Sequence, residues 1–229
     1  MQFTFGIVTD GNSPQKVKDL VQSICKNNIP KNDYEIIIIG GKEFIGENVS
    51  WFSFDESIKK SWITRKKNLI TEHAKFENIV FLHDYLILDN DWYNGFLKFG
   101  DGWEICMNII TNSNGERFRD WVLCSNFIKG TKFDFGINLL LPYDISNLTQ
   151  YQYISGTYWV AKRNIMQKYL LNENLSWGES EDIEWSERTI KKGIKYSMNI
   201  FSKVVINKEY KHPVFYLMNE NQIKIAHEQ

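Results

Sequence analysis

Nine residues, Trp177-Gly178-Glu179-Ser180-Glu181-Asp182-Ile183-Glu184-Trp185, set a knot of acids between two indoles just ahead of a helical pattern. Carboxylates gathered at a helix N-terminus are favoured by the local dipole, and one held there can accept a proton from a hydroxyl. The flanking indoles, with their flat apolar faces, offer a floor on which a sugar ring stacks. Glu181 and Asp182 are therefore the first candidates for acid–base chemistry, although the same acids would also serve as plain first-turn helix caps. Far upstream, Phe81-Leu82-His83-Asp84-Tyr85 brings an imidazole and a carboxylate to the end of an apolar run.

The elements that must position these groups alternate between strand and helix. Phe3 to Val8 is a short apolar run ending in Thr9-Asp10-Gly11, and Ser13-Pro14 supplies an N-cap and first helical residue. Val17, Leu20, Val21 and Ile24 form one face of that helix, which Asn27-Asn28 and Pro30 stop. Tyr34 to Ile39, closed by Gly40-Gly41, reads as a strand buried on both faces. A strand over 49–54, a helix over 57–74 and a buried strand over 78–82 follow. Trp92 to Leu97 predicts a short helix and Glu104 to Ile110 a strand, whereas 112–144 resists assignment. Ile154 to Val160 reads as a strand, with helices over 164–171 and 180–192, the second stopped by Gly193. Short strands over 196–199 and 203–206 complete an α/β pattern with an irregular second half.

Composition narrows the partners. With 229 residues and 43% hydrophobic content, the chain can bury a substantial core and is expected to form one domain over 1–229. Its 27 basic residues balance 28 acidic ones, so no nucleic-acid partner or anionic membrane surface is expected from bulk charge. Cys25, Cys106 and Cys124 are widely spaced and without a CxxC pair, which fits neither a disulfide framework nor a zinc site and suits a reducing cytoplasm. No apolar stretch approaches the roughly 20 residues of a membrane span. No repeat or linker divides the chain.

In an α/β fold of this kind ligands bind at the carboxyl ends of the parallel strands. Thr9-Asp10-Gly11, Asp55 and His83-Asp84-Tyr85 all fall at such ends. The residues from Gly6 to Gly11 match neither GxGxxG nor GxxxxGK[ST], which argues against dinucleotide oxidoreductases and P-loop enzymes. Any bound phosphate must then be held by other means, a metal first among them.

Taken in order, Thr9-Asp10-Gly11, Arg65-Lys66-Lys67-Asn68, Phe81 to Tyr85, Ser155-Gly156-Thr157-Tyr158-Trp159 and Trp177 to Asp182 resemble a GT-A-fold glycosyltransferase, with likeness to family-2 glycosyltransferases and to the β-1,4-galactosyltransferase group through its WGxGxEDD-like acidic segment. The resemblance implies a GT-A-like domain whose mixed, mostly parallel sheet is flanked by helices, with a nucleotide-binding half over about 1–100 and an acceptor and catalytic half over about 101–229. It also implies inverting transfer from a nucleotide-activated sugar, a UDP-sugar favoured, to a glycan or glycoconjugate hydroxyl. Thr9, Asp10, Gly11, Asp55, Arg65, Lys66 and Asp84 would bind the donor, although an RKK run is also the usual mark of a solvated helix face. Asp182, or Glu181, would be the base, and Trp159, Trp177, Gly178 and Trp185 would meet the acceptor.

Mn²⁺ or Mg²⁺ would bridge the donor pyrophosphate. The family's DxD motif is incomplete here: if Asp84 is its first acid, Leu86 replaces the second, and if His83 stands first, Tyr85 does. A carboxylate with an imidazole suits Mn²⁺, and His212 in Lys211-His212-Pro213 is the candidate second ligand beside Asp84. Asp89-Asn90-Asp91 is a literal DxD but precedes Trp92-Tyr93 as a helix cap would. The alternatives are a non-catalytic GT-A binding module and a sugar nucleotidyltransferase, the latter lacking its Gly-rich opening. Acceptor contacts are expected from 112–152.

Overall fold

The computed structural model describes residues 1–208 and 215–228. The opening alternation runs Phe3–Val8 (β1), Pro14–Cys25 (α1), Tyr34–Ile39 (β2), Val49–Phe52 (β3), Ile63–His73 (α2) and Asn78–His83 (β4). Leu86–Leu88 (β5), Trp92–Phe99 (α3) and Ile105–Asn112 (β6) follow, then the short elements Val122–Leu123 (β7), Ser125–Ile128 (α4), Leu139–Leu140 (β8) and Gln152–Tyr153 (β9). Tyr158–Lys162 (β10), Arg163–Lys168 (α5), Glu181–Ile190 (α6), Tyr196–Ile206 (β11), Tyr216–Leu217 (β12) and Glu220–His227 (α7) close the chain.

One large sheet has the order β3-β2-β1-β4-β10-β6-β11-β5, and a small one the order β12-β8-β7-β9. Parallel pairing of β3, β2, β1 and β4 brings their carboxyl ends to one edge, with Val8 beside both Ile39 and His83. The antiparallel β10 then runs back from that edge, Tyr158 against Leu82. Side chains alternate along β1, so its two faces take different helices. Gly6 meets Ile70 of α2, while Phe3 packs edge-on to Trp92 and Phe96 of α3. Helices thus cover both faces, and the core runs continuously through the sheet.

Several boundaries differ from the sequence reading. The helix expected from Ser57 begins only at Ile63, after an exposed turn. The two strands expected over 196–206 are one strand, β11, whose pairing with β6 shifts register between Asn199 and Lys203. The expected strand over 154–160 begins only at Tyr158; Ser155-Gly156-Thr157 is a turn closed by Tyr158 N–H to the Ser155 carbonyl at 3.0 Å. The stretch 112–144 is organised by the buried carboxylate of Asp120, which accepts from Arg117 Nε at 2.8 Å, Tyr143 OH at 2.8 Å and the Ile110 N–H at 3.1 Å. Asp89-Asn90-Asp91 lies outside the candidate site. Asp91 occupies the cap position of α3 without a side-chain cap bond, and Asp89 instead accepts from the Asp91 N–H and pairs with Lys203. Among the described residues no helix is long and apolar enough to cross a membrane.

Gly95 marks where α3 touches β11. A Cβ there would lie 2.2 Å from the Phe201 carbonyl oxygen and 2.4 Å from Ser202 Oγ, and backbone cannot yield as a side-chain tip does. Gly95→Ala is expected to lower stability by about 2 kcal/mol, read as a lower denaturant midpoint at unchanged slope.

Candidate active site

Two adjoining cavities open at the carboxyl edge of the parallel strands. The larger, about 560 Å³, has Thr9, Asp10, His83 and Asp84 at its base, Lys16 from α1, Lys66 from α2, and Glu56, Trp177 and Lys208 at its sides. The smaller, about 230 Å³, is lined by Arg119, Tyr153, Gly156, Gly178, Glu181 and Asp182 among others. His83 and Trp177 border both.

Short-range bonds fix the larger cavity's floor. Thr9 Oγ1 donates to Asp84 Oδ2 at 2.6 Å and accepts from the Gly11 N–H at 3.0 Å. Lys66 Nζ donates to the Thr9 carbonyl at 2.7 Å and pairs with Glu56. Burial raises the Asp84 carboxyl above its usual range, assisted by nearby Asp10 and opposed by the Thr9 hydroxyl, Lys16 and Lys208. Lys208 lies over the Tyr85 ring at 3.3 Å and is lowered by burial and by repulsion from Lys16 and Arg119. Several cations therefore converge on one crevice, the arrangement an anionic ligand would relieve.

Trp177 is held between the cavities by its loop. Trp62 Nε1 donates to the Glu173 carbonyl at 2.7 Å, Thr64 Oγ1 to the Leu175 carbonyl at 2.7 Å, and the Trp177 N–H to the Ser61 carbonyl at 3.0 Å. These bonds strap the loop to the start of α2 and leave the indole 61% exposed, free to stack on a ring.

The smaller cavity is built on α6. Ser180 adopts a left-handed conformation (φ 62°) that turns the chain into the helix, placing Glu181 and Asp182 in its first turn. Asp182 Oδ2 accepts the Gly156 N–H at 2.9 Å and Oδ1 the Ile183 N–H at 3.0 Å. The helix itself is docked by Ser186 Oγ, which accepts the Ile154 N–H and donates to the Asp182 carbonyl. Burial raises Glu181, with Lys67 opposing. Burial also holds the His83 imidazole well below its ordinary value, reinforced by Lys67, Lys208 and Arg119, so the ring between the cavities is neutral. A carboxylate carrying backbone N–H bonds, aimed into a cavity beside a cationic crevice, can take a proton from a group attacking a ligand in that crevice.

The sequence candidates divide as follows. Thr9, Asp10, Lys66, Asp84, Trp177, Gly178, Glu181 and Asp182 line the two cavities, and Gly11 lies just behind Thr9. Asp55 is exposed and turned to the Ser57 N–H and hydroxyl, while its neighbour Glu56 faces the cavity. Arg65 pairs with Glu72 and Glu173 on another face of α2. Trp159 and Trp185 cannot meet an acceptor, because both are fully buried: Trp159 stacks on Phe81 at 4.6 Å, and Trp185 donates to the Tyr169 carbonyl. The sequence reading passed over Lys16, Glu56, Arg119, Tyr153 and Lys208, and no local motif marks any of them. His212 lies outside the described residues.

Among the described residues the donor set for a divalent ion is incomplete. One Asp84 oxygen is engaged by Thr9, and Leu86, in the place of a second acid, is fully buried in β5 against Ile206. Among the described residues no three His, Cys, Asp or Glu side chains group as metal ligands. The described residues do not by themselves fit the Mn²⁺ or Mg²⁺ that the sequence resemblance implies.

No protein-family model matches the sequence, and no curated protein matches it. Solved structures match its fold. GalNAc-T7 with UDP, GalNAc and Mn²⁺ superposes at a TM-score of 0.65 and 12% identity over 94% of this chain and 45% of that one. S. aureus TarS 1-349 in complex with UDP-GlcNAc superposes at 0.62 and 14% identity over 93% of this chain and 60% of that one. The fold is the GT-A type of these glycosyltransferases. The chain spans about half the length of the structures it matches.

Proposed function

We propose that this chain is an inverting glycosyltransferase that moves a sugar from a nucleotide-sugar donor, a UDP-sugar favoured, to a hydroxyl of a glycan or glycoconjugate. The observation that carries the reading is the pair of adjoining cavities, the larger setting lysines among Asp10, Glu56 and Asp84 and the smaller bearing Glu181 and Asp182, with His83 and Trp177 between them. UDP-GlcNAc bound to TarS and UDP bound to GalNAc-T7 support the choice of donor.

The donor's nucleotide would occupy the larger cavity, its diphosphate facing Lys16 and Lys208. The acceptor would enter the smaller one. Its hydroxyl oxygen forms a bond to the anomeric carbon as the bond from that carbon to the diphosphate oxygen breaks, and Asp182 takes the hydroxyl proton. Attack opposite the leaving group inverts the anomeric centre. Neutral His83 adds no competing charge where the sugar sits. The negative charge growing on the departing diphosphate falls to the cations of the crevice.

The metal donor set, incomplete among the described residues, favours a second reading, a binding module without turnover. Measuring UDP release from UDP-GlcNAc and UDP-GalNAc with glycan acceptors, in manganese and in chelator, separates the two. Release from either donor supports transfer; UDP binding with no release from any donor overturns it.

Gly156 sets the spacing of the base. A Cβ there would lie 2.9 Å from Asp182 Oδ2 and 3.2 Å from Glu181 Oε1. Gly156→Ala is expected to displace the carboxylates by a few tenths of an ångström and lower kcat about tenfold, with UDP affinity unchanged by calorimetry.

A further inference from the structure

Lys67 lies in the middle of α2, fully buried beneath the smaller cavity but lining neither cavity. Its ammonium donates to the Gly156 carbonyl at 2.8 Å and sits 4.4 Å from the centre of the Trp159 ring. The same Gly156 residue donates its own N–H to Asp182 Oδ2. Helix α2, the Ser155–Thr157 turn and helix α6 are thus joined in one chain of contacts that ends on the proposed base.

We propose that Lys67 is a positioning residue: by gripping the Gly156 carbonyl from below, it fixes the turn whose N–H aims the Asp182 carboxylate into the smaller cavity. The inference rests on the reading of Asp182 as the base.

Two physical points support it. The first is the cost of the arrangement. Burial pulls the Lys67 ammonium down to about 8, although Glu181 and Asp182 oppose the shift. A lysine whose folded value lies below its unfolded value destabilises the fold while charged. Stability is therefore gained as pH rises from about 8 towards 10.5, and the full penalty stands below that window. An apolar side chain of similar length would spare the fold this penalty, so packing alone does not explain a lysine here.

The second point is the setting. Around Asp182 stand Glu181 on its own helix, Lys67 from α2, and Arg119, Cys124 and Tyr153 from the segment that carries the small sheet. Lys67 is bonded to the turn that holds the carboxylate. Its hydrogen bond fixes the turn, and a variant that keeps a donor there separates that bond from the charge.

The test compares Lys67→Met and Lys67→Gln in the full chain by UDP release. Methionine removes both charge and hydrogen bond; glutamine keeps a donor for the Gly156 carbonyl. Lys67→Met is expected to fold with a denaturant midpoint no lower than wild type at pH 7 and to lose about tenfold in kcat at unchanged donor KM. Lys67→Gln is expected to recover most of kcat. A folded Lys67→Met enzyme with wild-type kcat overturns the inference, as does a loss that lies wholly in KM. Should Lys67→Met not fold, the stability argument fails, and a folded Lys67→Gln enzyme that loses tenfold or more in kcat overturns the rest. Full activity in Asp182→Asn would instead overturn the identity of the base, whatever Lys67 does.

Discussion

Asp182→Asn is expected to lower kcat about 1000-fold while donor affinity stays within a factor of two of wild type. Asparagine keeps the size of the side chain but cannot accept the acceptor's proton. It also puts an amide NH2, a donor, where one of the two carboxylate oxygens accepts, so the bond from either the Gly156 or the Ile183 N–H is lost. Losing one of these bonds and a first-turn charge costs about 1 kcal/mol of stability. The two effects are far apart in size, and a denaturant titration beside the rate measurement distinguishes a lost base from a weakened fold. Glu181→Gln is the control. If the glutamate were the base the larger loss would move to that variant, and its neighbour would read as a helix-start residue alone.

Replacing both Lys16 and Lys208 by alanine is expected to weaken UDP binding about 100-fold and leave uridine binding unchanged. A hydrogen bond from an ammonium to an anionic oxygen contributes about 1.5–3 kcal/mol, and partial exposure puts two of them near 3 kcal/mol together. That energy corresponds to about two powers of ten in Kd. The lysines repel each other across the crevice and are opposed by Asp84, so their removal is not expected to lower stability. Raising the ionic strength should weaken wild-type UDP binding and change the double variant little. Calorimetry with UDP and uridine at two salt concentrations reads all of these at once. Equal losses for UDP and uridine would mean that the lysines shape the pocket and carry no diphosphate.

What the sequence made legible follows from periodicity. The alternation from Phe3 to His83 was readable because each buried strand is a continuous apolar run and α1 carries a clean apolar face. The acids at 181–182 were readable as the opening of a helix because Gly178 and Ser180 turn the chain just before an amphipathic stretch. The Arg65-Lys66-Lys67 run was readable as donor-binding cations or as a solvated face, and not residue by residue. Three consecutive residues sweep about 200° around a helix, so they cannot all face one way: Arg65 reaches acids on the rim, Lys66 the larger cavity, and Lys67 the core.

The turn at 155–157 was read as strand because its apolar and aromatic neighbours outweigh one glycine. Its role depends on β10 reversing beside His83, a tertiary fact. Trp159 and Trp185 carry the same side chain as Trp177, and only packing separates the two buried indoles from the exposed one. The 112–144 stretch lacks periodicity because its strands β7 and β8 are only two residues long, and the buried carboxylate of Asp120 ties Ile110, Arg117 and Tyr143 together. Arg119 sits beside it in sequence and reaches the smaller cavity.

The most direct measurement is a calorimetric titration of UDP into the wild-type chain and into Asp182→Asn, in manganese and again in chelator, with UDP release from a UDP-sugar followed on the same preparations. UDP binding of equal strength to both proteins, with turnover confined to wild type, is the predicted result. A wild-type chain that binds no UDP under either condition would contradict the proposed function at its root.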